Sequence, residues 1–291
     1  MSKILVTGAS GFIGRALAAR LKSEGWGVIA LDSTDGDIAD QETLSELDQE
    51  NISHTFHLAG KTFVPDSWAN PQAFCHTNVL GTVNVLELCK KNRIPLTYIS
   101  AYVYGHPDSL PISEDSVIKP NSPYALSKRL AEEACEFYAN AYDLSVTTIR
   151  PFNVYGIGQA EKFLIPEIIR QALDKGGEIV VKDLAPRRDY VYLEDLVAAL
   201  LATLRKAGGY RVYNIGSGIS RSVREIIDII QKIAGTNKKV VSRQMVRTNE
   251  LMDVSADISK AGVDLSWHPR CSFREGIEDI IRSEREKRRD D

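Results

Sequence analysis

Between a short β-branched run and an amphipathic stretch the chain reads Thr7-Gly8-Ala9-Ser10-Gly11-Phe12-Ile13-Gly14, three glycines at intervals of three. A strand-to-helix turn of this kind lets backbone N–H groups approach a pyrophosphate, and the helix N-terminus adds a positive dipole. The turn predicts a dinucleotide cradle at Gly8, Gly11, Phe12, Ile13 and Gly14. Its spacing differs from the commoner GxGxxG, so alone it leaves the fold variant open. Asp32 ends the next apolar run, Val28–Leu31, where a carboxylate can accept hydrogen bonds from an adenosine ribose. Its charge would repel a 2′-phosphate, and Ser33 and Thr34 bring no compensating cation. NAD is therefore the expected cofactor, with NADP disfavoured.

Short β-branched runs at Ile4–Thr7, Val28–Leu31, Thr55–Leu58, Leu96–Ser100 and Val146–Ile149 alternate with helical patterns at Phe12–Glu24, Pro71–Asn92 and Pro123–Tyr142. Continuous apolar runs joined by helical crossovers predict an α/β fold, a doubly wound parallel sheet of the Rossmann type. Beyond Arg150 the rhythm loosens. Helical spacing at Ile165–Leu173, Leu193–Arg205 and Val223–Ala234, with strands at Ile179–Lys182 and Val212–Ile215, predicts a smaller mixed α/β lobe. The terminal charge run Arg282–Asp291 reads as the end of a solvated helix.

Composition narrows the function. The 291 residues carry a formal charge of −3 with no concentrated basic face, which argues against nucleic acid as a partner. The longest apolar run, Leu196 to Leu204, is far short of the roughly 20 residues that span a bilayer. Four cysteines without a CxxC pair imply neither a zinc site nor a disulfide framework, so no metal is expected and a reducing cytoplasm fits best. No charged segment followed by an apolar stretch and cleavage site precedes Lys3, so secretion is not expected.

The proton-transfer candidates are Tyr124 and Lys128, which follow Pro123 and lie at i and i+4 on one helix face. Such pairs are common by chance, and position is what singles this one out. Ser100 ends a sheet strand, where ligands of doubly wound sheets bind, and could meet Tyr124 over a substrate. Bringing a tyrosine from its reference pKa near 10 toward 7 takes about 4 kcal/mol of differential stabilisation. The Lys128 cation and an oxidised nicotinamide are charges of the right sign to supply it.

Nine segments together resemble the extended short-chain dehydrogenase/reductase family, in particular its NAD-dependent nucleotide-sugar epimerases, dehydratases and 4-keto reductases. They are TGASGFIG at 7–14, Asp37-Ile38, HLAG at 57–60, Asn78 to Thr82, SAYVYG at 100–105, YALSK at 124–128, RPFNVYG at 150–156, RRDYVYLEDL at 187–196 and YNIGSG at 213–218. The resemblance implies a catalytic set of Ser100, Tyr124 and Lys128. It puts Asp37 and Ile38 near adenine, and Leu58, Ala59, Gly60, Asn78 and Pro151 beside the cofactor. It assigns Asn153, Arg188, Arg247 and Glu250 to the diphosphate and ribose of a nucleoside-diphosphate sugar, whose base (UDP, GDP, CDP or dTDP) stays open. It further implies an NAD-binding domain over 1–162, rejoined by about 185–217, a nucleotide-sugar lobe from 163–184 and 218–291, and a homodimer packed through helices 71–92 and 123–142.

The family's dehydratases carry an Asp-Glu pair after the catalytic hydroxyl; here Ala101 and Tyr102 take those places. Dehydration is thereby disfavoured, and the expected reaction is 4-epimerisation of an NDP-hexose through a 4-keto sugar, as in the UDP-glucose 4-epimerases. The alternative is an NAD(P)H-dependent NDP-4-keto-6-deoxyhexose reductase, suggested by HLAGKTFVPDS at 57–67 and by the short link from Asp32 to Asp37, which all but deletes a third strand. A non-catalytic dinucleotide-binding scaffold is disfavoured because both Tyr124 and Lys128 are present.

Overall fold

The computed structural model describes residues 2–206, 208–245 and 251–290. Its first half alternates β1 (Lys3–Thr7), α1 (Phe12–Ser23), β2 (Gly27–Leu31), a 3₁₀ stretch at Gln41–Gln49, β3 (Ile52–His57), α2 (Val64–Ala69), α3 (Pro71–Cys75), α4 (Gly81–Asn92), β4 (Leu96–Ile99), α5 (Pro123–Tyr142) and β5 (Val146–Pro151). The second half runs β6 (Asn153–Tyr155), α6 (Leu164–Leu173), β7 (Glu178–Val181), β8 (Arg187–Tyr192), α7 (Leu193–Thr203), β9 (Tyr210–Ile215), β10 (Ser220–Ser222), α8 (Val223–Ala234), β11 (Lys239–Ser242), α9 (Ser259–Leu265) and α10 (Phe273–Asp290).

Six strands form one parallel sheet in the order β2-β1-β3-β4-β5-β9. Alternate residues of β1 face opposite cores, as the two-residue strand period requires. Ile4 and Val6 pack with Leu17 and Leu21 of α1 and Leu196 and Leu200 of α7; Leu5 packs with Val85 and Leu86 of α4 and Ala131 and Cys135 of α5. Both sheet faces are covered, which is why these strands read as continuous apolar runs. The expected doubly wound parallel sheet is what forms. Among the described residues no strand lies beyond β2, which is a sheet edge.

Helix α5 begins where the sequence places it because the Ser122 hydroxyl accepts the Ala125 N–H (3.2 Å) and Pro123 occupies the first turn. The stretch 71–92 is helical but not uniform: α3 and α4 are joined by a π turn at His76–Leu80. The wider turn carries Asn78 inward, where its amide donates to the Lys61 carbonyl (3.1 Å) and Ser127 Oγ (2.9 Å) and accepts the Lys61 N–H (2.8 Å). Two small sheets, β10-β8-β6 and β11-β7, complete the fold. A separate apolar core joins α6, β7, α8 and α10 around Tyr155 and Tyr192. The charge run from Arg282 continues α10.

Candidate active site

A cleft of about 2100 Å³ opens along the carboxyl ends of the parallel strands. The order in which strands are added reverses about β1, with β2 on one side and β3 on the other, which is the switch point where doubly wound sheets take their ligands.

At this point Gly8 adopts φ +69°, and a Cβ there would stand 2.7 Å from the Ala59 nitrogen. A Cβ on Gly14 would lie 2.1 Å from the Gly8 carbonyl oxygen, so helix and turn touch backbone to backbone. Gly11 caps α1 without any side-chain hydrogen bond, and the first turn carries no acidic residue. The leading N–H groups of a twelve-residue helix thus face the cleft through an unblocked, glycine-lined mouth. Asp32 lines the cleft one residue beyond β2, its carboxylate held below the usual range by the Thr34 hydroxyl (2.7 Å) and N–H (2.9 Å). This cradle fits a dinucleotide.

Of the other cofactor candidates, Phe12, Ile13, Asp37, Ile38, Leu58, Ala59, Gly60 and Pro151 all line the cleft. Asn78 differs from expectation. It stands behind the wall with its amide already engaged by Lys61 and Ser127, so it holds the Gly60–Lys61 loop instead of facing the cleft.

Ser100, Tyr124 and Lys128 line the same cleft. Ser100 is 3% exposed; its N–H is tied to the Ile149 carbonyl (2.8 Å), and its hydroxyl has no partner among the described residues. The Lys128 ammonium donates to the Ile99 carbonyl (2.7 Å) and sits 4.7 Å from the Tyr98 ring centre, with burial drawing it down to about 8. Tyr124, packed edge-on against Phe74, is pushed above its ordinary value by burial. In the protein by itself, burial thus moves the phenol away from neutral pH, and the opposing charges the sequence argument names are Lys128 and an oxidised nicotinamide together.

Asn153 and Arg188 reach the cleft from β6 and β8. Asn153 donates to the Asp189 carbonyl (3.1 Å), and Arg188 donates to the Arg187 (2.8 Å) and Leu251 carbonyls. Arg247 and Glu250 lie outside the described residues.

Several neighbours have no role assigned by sequence reasoning. His57 is fully buried between Thr7 (Nδ1, 2.7 Å) and Thr82 (Nε2, 3.0 Å). Thr82 gives its own proton to the Asn78 carbonyl (2.6 Å), which assigns the imidazole proton to Nε2 and leaves Nδ1 to accept from Thr7. At the cleft rim Phe63 meets Phe163 edge-on at 6.1 Å beneath Lys162. Lys182 and Arg243 add positive charge to the same wall. These residues share no spacing that a sequence pattern could reveal. Among the described residues no group of three or more His, Cys, Asp or Glu could hold a metal, and no helix is long and apolar enough to cross a membrane.

Residues 4–216 match the model of the NAD dependent epimerase/dehydratase family. The chain is 32% identical to a putative UDP-glucose 4-epimerase of Methanocaldococcus jannaschii, over 96% of this chain and 97% of that one. It is 30% identical to the GDP-6-deoxy-D-mannose reductase of Pseudomonas aeruginosa, over 96% of each. Among solved structures, the Thermotoga maritima UDP-glucose 4-epimerase with UDP-glucose superposes with a TM-score of 0.91 at 28% identity, covering 98% of this chain and 99% of that one.

Proposed function

The chain belongs to the NAD-dependent epimerase/dehydratase family and is an NAD-dependent enzyme, and on that premise we propose that it interconverts a nucleoside-diphosphate hexose with its C4 epimer through a 4-keto sugar. The observation that carries this reading is the buried Ser100 hydroxyl, unpartnered among the described residues in a cleft it shares with Tyr124 and Lys128. A buried hydroxyl left unpaired is costly unless a bound group completes it. A sugar C4 oxygen presented to Tyr124 would do so.

When bound, NAD supplies the acceptor and then the donor of the hydride at that carbon. The N–H groups of the 8–14 turn hold the pyrophosphate and Asp32 the adenosine ribose. Tyr124 takes the C4 hydroxyl proton as the carbonyl forms and returns it afterwards. Ser100 hydrogen-bonds the same oxygen, and the Lys128 charge favours tyrosinate against the cost of burial. Arg188 and Asn153 take the nucleotide diphosphate, a guanidinium being matched to phosphate oxygens. Against dehydration, Ala101 offers no acid, and the Tyr102 hydroxyl is committed to the Gly105 carbonyl (2.6 Å) with burial raising its proton affinity.

The UDP-glucose 4-epimerase relatives and the carboxylate at Asp32 favour epimerisation with NAD. The exposed edge at β2 and the 30% identity to a GDP-6-deoxy-D-mannose reductase support the second reading, reduction of an NDP-4-keto-6-deoxyhexose. The test is the fate of the hydride. Incubated with UDP-glucose and catalytic NAD, the protein should form UDP-galactose with no net change at 340 nm and retain a C4 deuterium label. Stoichiometric NAD(P)H consumption against an NDP-4-keto-6-deoxyhexose, with no epimer from any NDP-hexose, would reject epimerisation in favour of reduction.

A further inference from the structure

Strand β8 turns Arg188 and Tyr190 toward the cleft and Asp189 the other way, as the two-residue strand period requires. Asp189 is fully buried, and a buried charge is costly unless its oxygens are satisfied. Here Oδ1 accepts the Ser217 N–H (2.6 Å) and hydroxyl (2.7 Å), and Oδ2 accepts the N–H groups of Gly218 (2.9 Å) and Ala256 (3.0 Å). The backbone carbonyl of Asp189 accepts the Asn153 amide (3.1 Å). Asp189 therefore joins β6, β8, the turn after β9 and the segment 251–256.

The 251–256 segment forms part of the cleft wall through Leu251 and Val254. It is fastened to β8 by the Arg187 N–H on the Met252 carbonyl (2.9 Å), by Arg188 Nη1 on the Leu251 carbonyl, and by the Ala256 N–H on Asp189. Ile112 takes the flanking Ser255 carbonyl and Asp257 N–H, both at 2.8 Å, which leaves the Ala256 N–H to Asp189. We propose that Asp189 is a positioning residue for the nucleotide diphosphate: from outside the cleft it clasps the 217–218 turn and Ala256, and so fixes the 251–256 segment and the Arg188 guanidinium that rests on it.

Gly216 shows how closely the clasp shuts. A Cβ there would stand 2.6 Å from Ala256 Cβ and 2.8 Å from Asp189 Oδ2, far inside the roughly 3.5–4.0 Å at which carbon atoms pack, so a methyl at 216 would wedge the parts apart. An amide at 189 would loosen them in another way. Asparagine offers one acceptor oxygen, so in either orientation its NH2 is set against at least one of the backbone N–H groups. Neither change reaches the dinucleotide cradle, which is built from the 8–14 turn, Asp32 and residues 58–60.

The proposal rests on reading Arg188 as a diphosphate ligand, so Arg188→Met is tested beside Asp189→Asn and Gly216→Ala. The full-length proteins are titrated calorimetrically with NAD and, separately, with UDP, or with GDP where wild type prefers it; kcat and KM are measured with UDP-glucose. Weakening one charge-assisted hydrogen bond to phosphate predicts a roughly 10- to 100-fold loss of nucleoside-diphosphate affinity in all three variants. KM should rise in step, while NAD affinity and kcat at saturation stay within threefold of wild type, a split that a general packing defect would not produce. Asp189→Asn and Gly216→Ala disturb different atoms of the clasp, so either decides the matter if the other does not fold. Nucleoside-diphosphate affinity within threefold of wild type in either folded variant, with Arg188→Met impaired, overturns the proposal and leaves the diphosphate reading standing. So does a loss of NAD affinity as large as the loss of nucleoside-diphosphate affinity. An Arg188→Met protein that binds the nucleoside diphosphate normally removes the diphosphate reading and this proposal with it. If wild type fails to convert UDP-glucose, the epimerase reading falls and the titrations alone decide this one.

Discussion

Replacing Gly14 by alanine should separate cofactor binding from folding. An ordinary contact at this position needs at least 3.4 Å, and the new methyl would start 2.1 Å from the Gly8 carbonyl and 2.9 Å from Ala9 Cα, both backbone atoms. Helix α1 must therefore withdraw from the turn by more than 1 Å. Overpacking of this kind costs about 1–3 kcal/mol, against at most about 1 kcal/mol gained from alanine's better helix propensity, so the variant stays folded with a modest loss. The N–H groups at the helix mouth move with it, and losing one charge-assisted hydrogen bond of about 1.5–3 kcal/mol weakens NAD by roughly 10- to 150-fold. Gly25→Ala is the control: φ is +86° there but nothing lies within 4 Å of the added methyl. It should lose about 1–2 kcal/mol to left-handed strain and bind NAD normally. Calorimetric NAD titration and thermal melts read both quantities, and a Gly14→Ala protein binding NAD within threefold of wild type would refute the reasoning.

Tyr124→Phe should leave NAD binding intact and cut turnover by about 10²–10⁴-fold; near-normal turnover removes Tyr124 from the proton-transfer role. Asp32→Ala combined with Ser33→Arg should relax or reverse the preference for NAD over NADP in equilibrium titrations, since repulsion of a 2′-phosphate gives way to attraction. A wild-type protein that already prefers NADPH defeats that argument. Burial holds His54 at about 4 and His57 at about 3, both below 6.5. The unfolded chain therefore takes up protons that the folded one refuses, and stability present above pH 6.5 is lost as pH falls toward those values, by about 2 kcal/mol per histidine at pH 5. Asp189 and Glu114, raised by burial, work in the opposite sense over the interval between their ordinary and their raised values. Thermal melts from pH 7 to pH 5 should decline, and a flat profile contradicts the assignment.

Elements governed by local chemistry were legible in the sequence. Helix α5 is set by Ser122 and Pro123, and α8 by the reciprocal bonds of Ser222 and Glu225; both lie where periodicity puts them. The π turn at 76–80 was not, because it is fixed by Asn78 reaching Lys61 and Ser127 across the fold. Strands β6 and β10, three residues each, carry too little pattern to register, and so Asn153 could be singled out only through family resemblance. The Glu132–Arg150 pair spans 18 positions and two elements. No spacing rule connects such residues, and only packing reveals that each is the other's partner.

What made the dinucleotide half readable is the direction of its sheet. Gly8 follows β1, Asp32 follows β2, Leu58 follows β3, Ser100 follows β4, and Pro151 closes β5. Because the strands are parallel, their carboxyl ends all point one way, so residues at unrelated sequence positions converge on one edge. Finding where each apolar run stops is then nearly the same as finding the site. The opposite side of the cleft obeys no such rule. Its cleft residues come from β6, β8, the 159–163 loop and the segments around 243 and 251, joined by small sheets of mixed direction. There the chemistry of a residue type, an arginine matched to phosphate, points further than any periodicity can.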